Sequence, residues 1–317
     1  MEEGIIYWVG FIAFVIIMLM LDLGVFHKKD TAVSVKEAVG WSIFWISLAL
    51  LFNLGIYLWM DTNKSVEFLT AYLLEKSLSV DNLFVFIMIF GYFNIAPKYQ
   101  HKILFWGILG ALVMRAAFIF AGVALIQQFS WVMYLFGAFL IYSGIHLLFE
   151  KHGEDKDFNP NNNVVIRLFR KVMPIIDHNE HAHFFVKQGG KRFATTFFLA
   201  LLFIEVSDVI FAVDSIPAVL SVSTDTFIVF SSNIFAILGL RSLYFALSGI
   251  MKYFSYLSFA LCGILSFIGI KMCVNELSGD LGYHFHISNF ASLAVIVVLL
   301  TIAILLSVWE KKRKEIK

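Results

Sequence analysis

The sequence predicts an all-α fold: a polytopic membrane protein of about nine transmembrane helices forming a single transmembrane domain over residues 1–317. Three observations predict it. The chain is 60% hydrophobic and 15% charged with a mean hydropathy of +0.84, far from the ~45–50% apolar and ~25% charged content of soluble domains. It holds nine apolar runs, each long enough to cross a hydrocarbon core of ~30 Å. Its basic residues fall almost entirely on alternate connections between those runs. A net charge of +1 offers no overall basic surface for nucleic acid, so no nucleic-acid partner is expected; the lipid bilayer is.

The runs cover residues 5–26, 39–60, 66–94, 102–127, 131–149, 193–220, 226–250, 254–277 and 288–309. The first follows Met1-Glu2-Glu3, which lacks the basic start of a signal peptide, and is too long for one, so it reads as a retained helix with Asp22 near its inner end. The third and sixth are long and interrupted by acids, serines and, at Pro217, a residue without a backbone donor; both are expected to be broken helices. The fourth and seventh each carry an arginine, Arg115 and Arg241. The eighth holds both cysteines, Cys262 and Cys273, three helical turns apart and too distant to bridge each other.

Residues 150–192 form the one long polar connection, a loop within the domain. An amphipathic piece at 164–173, with Arg167, Arg170 and Lys171, suits a membrane surface. The DHNEHAH tract at 177–183 reads as a solvated linker before a metal-binding tract, and it does not match the HExxH zinc pattern.

With nine spans, one side of the membrane receives nineteen Lys and Arg residues and the other only Lys64. The positive-inside rule then puts the N-terminus outside and the C-terminus in the cytoplasm.

The chain also repeats. Asp81-Asn82-Leu83-Phe84 matches Asp208-Val209-Ile210-Phe211 at an offset of 127; GILGALVMRAAF matches NIFAILGLRSLY, pairing Arg115 with Arg241, at 126; Gly144-Ile145-His146 matches Gly269-Ile270-Lys271 at 125. Two three-helix units, spans 3–5 and 6–8, entering from opposite faces would make an inverted-topology repeat, an architecture of secondary transporters whose site lies at the midplane. Asp81 and Asp208 are then expected to face each other.

An ionisable side chain at mid-bilayer costs at least ~2.5–3.5 kcal/mol on insertion scales, so acids kept there mark an ion or proton pathway. Five stand in spans 3 and 6: Glu75, Asp81, Glu205, Asp208 and Asp214. Glu205 and Asp208 share a face at i, i+3. Asp208 and Asp214, like Glu75 and Asp81, converge only if their helix unwinds; Ser77, Ser79 and Ser207 would then satisfy freed backbone groups. Asn82 and Asn233 add neutral oxygens. Oxygen-only ligation favours Mn²⁺, Mg²⁺ or Ca²⁺ over Zn²⁺ or Cu⁺. Five acids exceed what one divalent ion requires, so some are protonated or paired with Arg115 and Arg241. A carboxylate that takes either metal or proton is an exchanger, and Glu205 is the expected proton carrier.

EKSLSVDNLFVF (75–86), FIEVSDVIFAVDSIPAVL (203–220) and SSNIFAILGLRSLYF (231–245) closely resemble the signature segments of the TerC/Alx family of bacterial integral membrane proteins, and LDLGVF (21–26) resembles its first-helix motif. The resemblance runs over about residues 5–277. It implies a cytoplasmic (inner) membrane protein, grouped with LysE-type exporters, that exports Mn²⁺ by proton exchange, with no prosthetic group. By the same resemblance Glu75, Asp81, Glu205, Asp208 and Asp214 correspond to the family's membrane acids. A non-transporting assembly or stress-resistance partner is the alternative. An enzyme is not expected: the two aspartates imitate an aspartyl intramembrane protease, but no Gly-x-Gly-Asp precedes either.

Overall fold

A computed structural model describes residues 2–24, 34–149, 175–176, 183–188, 190–248, 256–281 and 285–315; the side chains of Asp22 and Asp81 lie outside the description, although both residues are in helices. The molecule is mostly helical: α1 (Glu2–Gly24), α2 (Val35–Trp59), α3 (Thr62–Tyr92), α4 (Pro97–Gln128), α5 (Val132–Phe149), α6 (Thr196–Leu220), α7 (Thr226–Leu238), α8 (Leu240–Leu247), α9 (Leu257–Asp280) and α10 (Asn289–Glu315). Among the described residues six helical stretches are long and apolar enough to cross a membrane: Val35–Trp59, Pro97–Gln128, Thr196–Leu220, Thr226–Leu247, Phe259–Asp280 and Asn289–Glu310. Tyr7–Leu21 and Val132–His146 are shorter apolar helical stretches, and α3, which carries Lys64, Glu67, Glu75, Lys76 and Asp81, is not in that set.

Local chemistry sets several boundaries. Ser34 Oγ accepts from the Glu37 amide at the start of α2, Asp61 Oδ2 from Asn63 at the start of α3, and Asp225 Oδ1 from Phe227 and Ile228 at the start of α7. Each satisfies an amide that the first helical turn leaves unpaired. Pro97 opens α4, where its missing N–H costs nothing.

The helical architecture agrees with an all-α polytopic membrane protein, and the structure refines the sequence reading at two points. The long connection ends in a small sheet, β1 (Ile175–Ile176), β2 (Phe185–Gln188) and β3 (Lys191–Thr195), in the order β1-β3-β2. β2 and β3 pair antiparallel across a turn in which Gly190 takes φ +80°, a left-handed conformation that glycine accepts without strain. The amphipathic piece at 164–173 and most of the DHNEHAH tract lie outside the described residues; of that tract, His183 is exposed, and its carbonyl accepts from Thr195 Oγ1 at 2.6 Å.

Neither α3 nor α6 is broken, against expectation, and the break falls in the seventh span, at Gly239 between α7 and α8. Pro217 sits within a turn of the end of α6, so its ring deletes one late hydrogen bond instead of splitting the helix. At the real break, the Lys76 ammonium of α3 donates to the Ala236 carbonyl at 3.1 Å, and a side chain at position 239 would meet that ammonium at 2.8 Å and Trp45 Cβ at 3.1 Å.

α3 packs on α6 and α7, α4 on α6 and α7, and α5 on α9. α2 buries a stripe of Ala38, Trp45, Ala49 and Ile56 and leaves Val39, Ile43, Leu51 and Leu58 exposed, while α10 exposes Val298, Ile302 and Leu305; such uncovered apolar faces suit lipid. Three buried apolar clusters fill the interior. Along α3 one includes Leu74 and another Leu83; along α6 the first includes Ala212 and the second Ile204. Between these two apolar layers the chain buries its charges.

Candidate cation site

Arg115 of α4 reaches between α3 and α6 and pairs with two carboxylates. Its Nε and Nη2 donate to Asp208 Oδ2 at 3.1 Å and Oδ1 at 2.9 Å, a bidentate fork, and its Nη1 contacts Glu75 Oε1. Asn82 Nδ2 donates to Asp208 Oδ1 at 3.3 Å, and Asn233 Nδ2 of α7 donates to Glu75 Oε2 at 3.1 Å. All five side chains are at most 3% exposed. Glu75 and Asn82 lie seven residues apart on unbroken α3, two turns along one face, which is why Glu75 reaches Arg115 and Asn82 reaches the Asp208 that Arg115 holds. The cluster holds two carboxylates against one guanidinium, and charges this deep persist only when paired and hydrogen-bonded.

Its satisfaction is incomplete on one side. Asn82 Oδ1 and Asn233 Oδ1 are buried with no hydrogen-bond partner, and Ser79 Oγ and Ser215 Oγ share that condition. Because each amide nitrogen is committed to a carboxylate, each amide oxygen is held as an acceptor lacking a donor. A buried acceptor without a partner costs ~1–3 kcal/mol, and a cation ligand relieves that cost.

Of the residues singled out in the sequence, the structure brings together Glu75, Asn82, Arg115, Asp208 and Asn233. Glu205 lies one turn before Asp208, half-buried, with its carboxylate in the space that a Cβ at Gly110 of α4 would take. Asp214 is elsewhere: unbroken α6 keeps it on another face, where Ser143 of α5 donates to it at 3.0 Å. Ser77 and Ser207 bond carbonyls of their own helices, Leu73 and Phe203, so they serve no unwound backbone. Arg241 is buried on α8, with interactions of its own. The expected facing of Asp81 and Asp208 lies outside the described side chains. Among the described residues no group of three or more His, Cys, Asp or Glu side chains is arranged to hold a metal ion. The oxygens gathered in the cluster are those of two carboxylates and two side-chain amides.

Sequence reasoning missed two buried amines. Lys76 adjoins Glu75 in sequence but serves the α7 end, and Lys271 Nζ donates to Asn289 Oδ1 at 2.7 Å while Asn289 Nδ2 donates to the Val222 carbonyl at 2.9 Å. A lysine inside an apolar run was the available signal for both.

A model of the integral membrane protein TerC family matches residues 60–315, from α3 through α10. The chain belongs to the TerC family. This TerC-family chain is 51% identical over 267 residues to the “Uncharacterized membrane protein STKORF319” of Myxococcus xanthus, covering 84% of the chain and 83% of that protein. It is 43% identical to the “Putative membrane-bound redox modulator Alx” of Salmonella typhi, over 98% of the chain and 96% of the relative, and 40% identical to the Escherichia coli (strain K12) protein of the same name, over 97% and 96%. No solved structure matches the TerC-family chain.

Proposed function

We propose that the protein is a secondary transporter that exports Mn²⁺ from the cytoplasm across the inner membrane, by proton exchange, through nine membrane spans. The observation that carries the reading is the buried, donor-poor cluster of Glu75, Asp208, Asn82 and Asn233 between two apolar layers. Two carboxylates and two amide oxygens form a hard, oxygen-only donor set suited to Mn²⁺ or another hard divalent ion. Glu205, outside the Arg115 pair and one turn from Asp208, is the proton carrier in this reading, and Asp81 enters as the repeat mate of Asp208.

The inverted repeat belongs to the same proposal, and the packing supports it. α3 meets α7 as α6 meets α4, which is the exchange that a two-fold axis relating spans 3–5 to 6–8 requires. The glycines repeat the exchange in detail. A Cβ at Gly144 would meet Cys262 and Ser266, seven and three residues before Gly269; a Cβ at Gly269 would meet Gly137 and Ile141, seven and three residues before Gly144.

The name of the Alx relatives points to redox modulation. This chain's two thiols are free and sit eleven residues apart on α9, ~16 Å along the axis, so they do not form a dithiol couple with each other. Flux of ⁵⁴Mn²⁺ into inside-out proteoliposomes, with and without a pH gradient, tests export: uptake is expected in the native protein and absent in Asp208→Asn. Native vesicles that take up no Mn²⁺ would leave the non-transporting partner role.

A further inference from the structure

We propose that Arg115 is the protein's own stand-in for the transported cation: its guanidinium fills the site in the metal-free state, and the metal binds by displacing it. The inference rests on the export reading above and names the group that controls the site's occupancy. A purely structural arginine would be expected to leave its surroundings satisfied. Here the fork engages both oxygens of Asp208 and one of Glu75, while the amides of Asn82 and Asn233 use only their nitrogens, on the same two carboxylates. The two amide oxygens accept nothing from the guanidinium, although it has five N–H donors to give and its Nη1, in contact with Glu75 Oε1, makes no hydrogen bond. Acceptors that the resident cation does not use suit a second occupant, one that binds oxygen on all sides as a metal does.

The charges agree with an exchange. With the guanidinium in place the two carboxylates carry a net charge of −1, and with a divalent ion in its place they carry none. One cation or the other must be present, because both carboxylates are buried beyond the reach of water. The displaced guanidinium also has a destination. Glu205 shares a face of α6 with Asp208 and lies against α4, the helix that carries Arg115. Arg115 is therefore an internal competitor: it lowers the apparent affinity for the metal and leaves the empty cluster with one net negative charge instead of two.

Mn²⁺ binding to the full-length protein purified in detergent, read from the loss of the free-ion electron paramagnetic resonance signal, tests the proposal. Competition predicts that Arg115→Gln binds Mn²⁺ at least tenfold more tightly than the native protein, with Arg115→Lys, which cannot fork across both carboxylates, in between. It also predicts that free guanidinium weakens Mn²⁺ binding to Arg115→Ala and leaves the native protein unchanged at matched ionic strength, which a merely structural arginine would not produce. If Arg115→Gln does not elute as folded protein, Arg115→Lys and the guanidinium titration of Arg115→Ala decide. Equal or weaker binding by the folded variants overturns the inference while export stands. No Mn²⁺ binding by the native protein overturns the export reading, and the inference with it.

Discussion

Asp208 binds Arg115 through both oxygens, whereas Glu75 binds it through one, so the two acids are not equivalent. Asp208→Asn keeps the side chain's shape and removes its charge, leaving the guanidinium with Glu75 alone. Breaking one side of a buried ion pair costs ~3–5 kcal/mol, so Asp208→Asn should lower the thermal midpoint in detergent by several degrees and abolish flux. Asp214→Asn should behave differently, because Asp214 bonds Ser143 and stands apart from the cluster: its Mn²⁺ affinity should stay within about threefold of native, a change of ~0.65 kcal/mol. A loss matching that of Asp208→Asn would place Asp214 back in the binding site. The site was legible in the sequence as a set of residue types, since acids within apolar runs stand out against the cost of their burial. Their pairing was not legible. Which faces of α3, α4, α6 and α7 meet is decided by helix crossings, and Gly110, whose bareness makes room for the Glu205 carboxylate, looks like any other membrane glycine.

The helices were legible because hydropathy needs only length, and each of the nine apolar runs has helix along it. The position of the break was not. Proline is a strong signal but splits a helix only where helix continues well beyond it, and Pro217, three residues from the end of α6, deletes one late hydrogen bond. Gly239 was the weaker signal, and it became a break because Lys76 takes the Ala236 carbonyl and Trp45 fills the space beside the glycine. Close approach explains the other glycines that matter. A Cβ at Gly269 would lie 2.5 Å from the Gly137 carbonyl oxygen, a backbone atom that cannot rotate away, whereas one at Gly263 would meet only the methyls of Leu299 at 3.4 Å or more. Gly269→Ala should therefore destabilise the protein by ~1–3 kcal/mol by forcing α5 and α9 apart, and Gly263→Ala should be nearly neutral. Thermal midpoints of the two variants in the same detergent check this; equal midpoints would mean that α5 and α9 do not cross as closely as described.

At the scale of the whole molecule, the fate of α3 decides the topology. It carries more charge than the six stretches apolar enough to cross by composition alone, yet two of its charges are answered inside the protein: Glu75 by Arg115 and Asn233, and Lys76 by the Ala236 carbonyl. A helix whose ionised groups face protein partners can cross lipid despite its low mean hydropathy. If α3 crosses, Lys64 falls on one side of the membrane with Lys98 and Lys102 on the other, continuing the asymmetry of nineteen basic residues to one. If it does not cross, every connection after it changes sides relative to the N-terminus, and the same twenty basic residues divide seventeen to three. A reporter placed at Asp61, before α3, is therefore expected to read external, and one placed at Asn94, just after it, cytoplasmic; one near Gly279, after five further crossings, should again read external. Readings on the same side at Asp61 and Asn94 would reduce the count to eight, put both termini on one face, and remove the opposite orientation of the two three-helix units on which a midplane site depends.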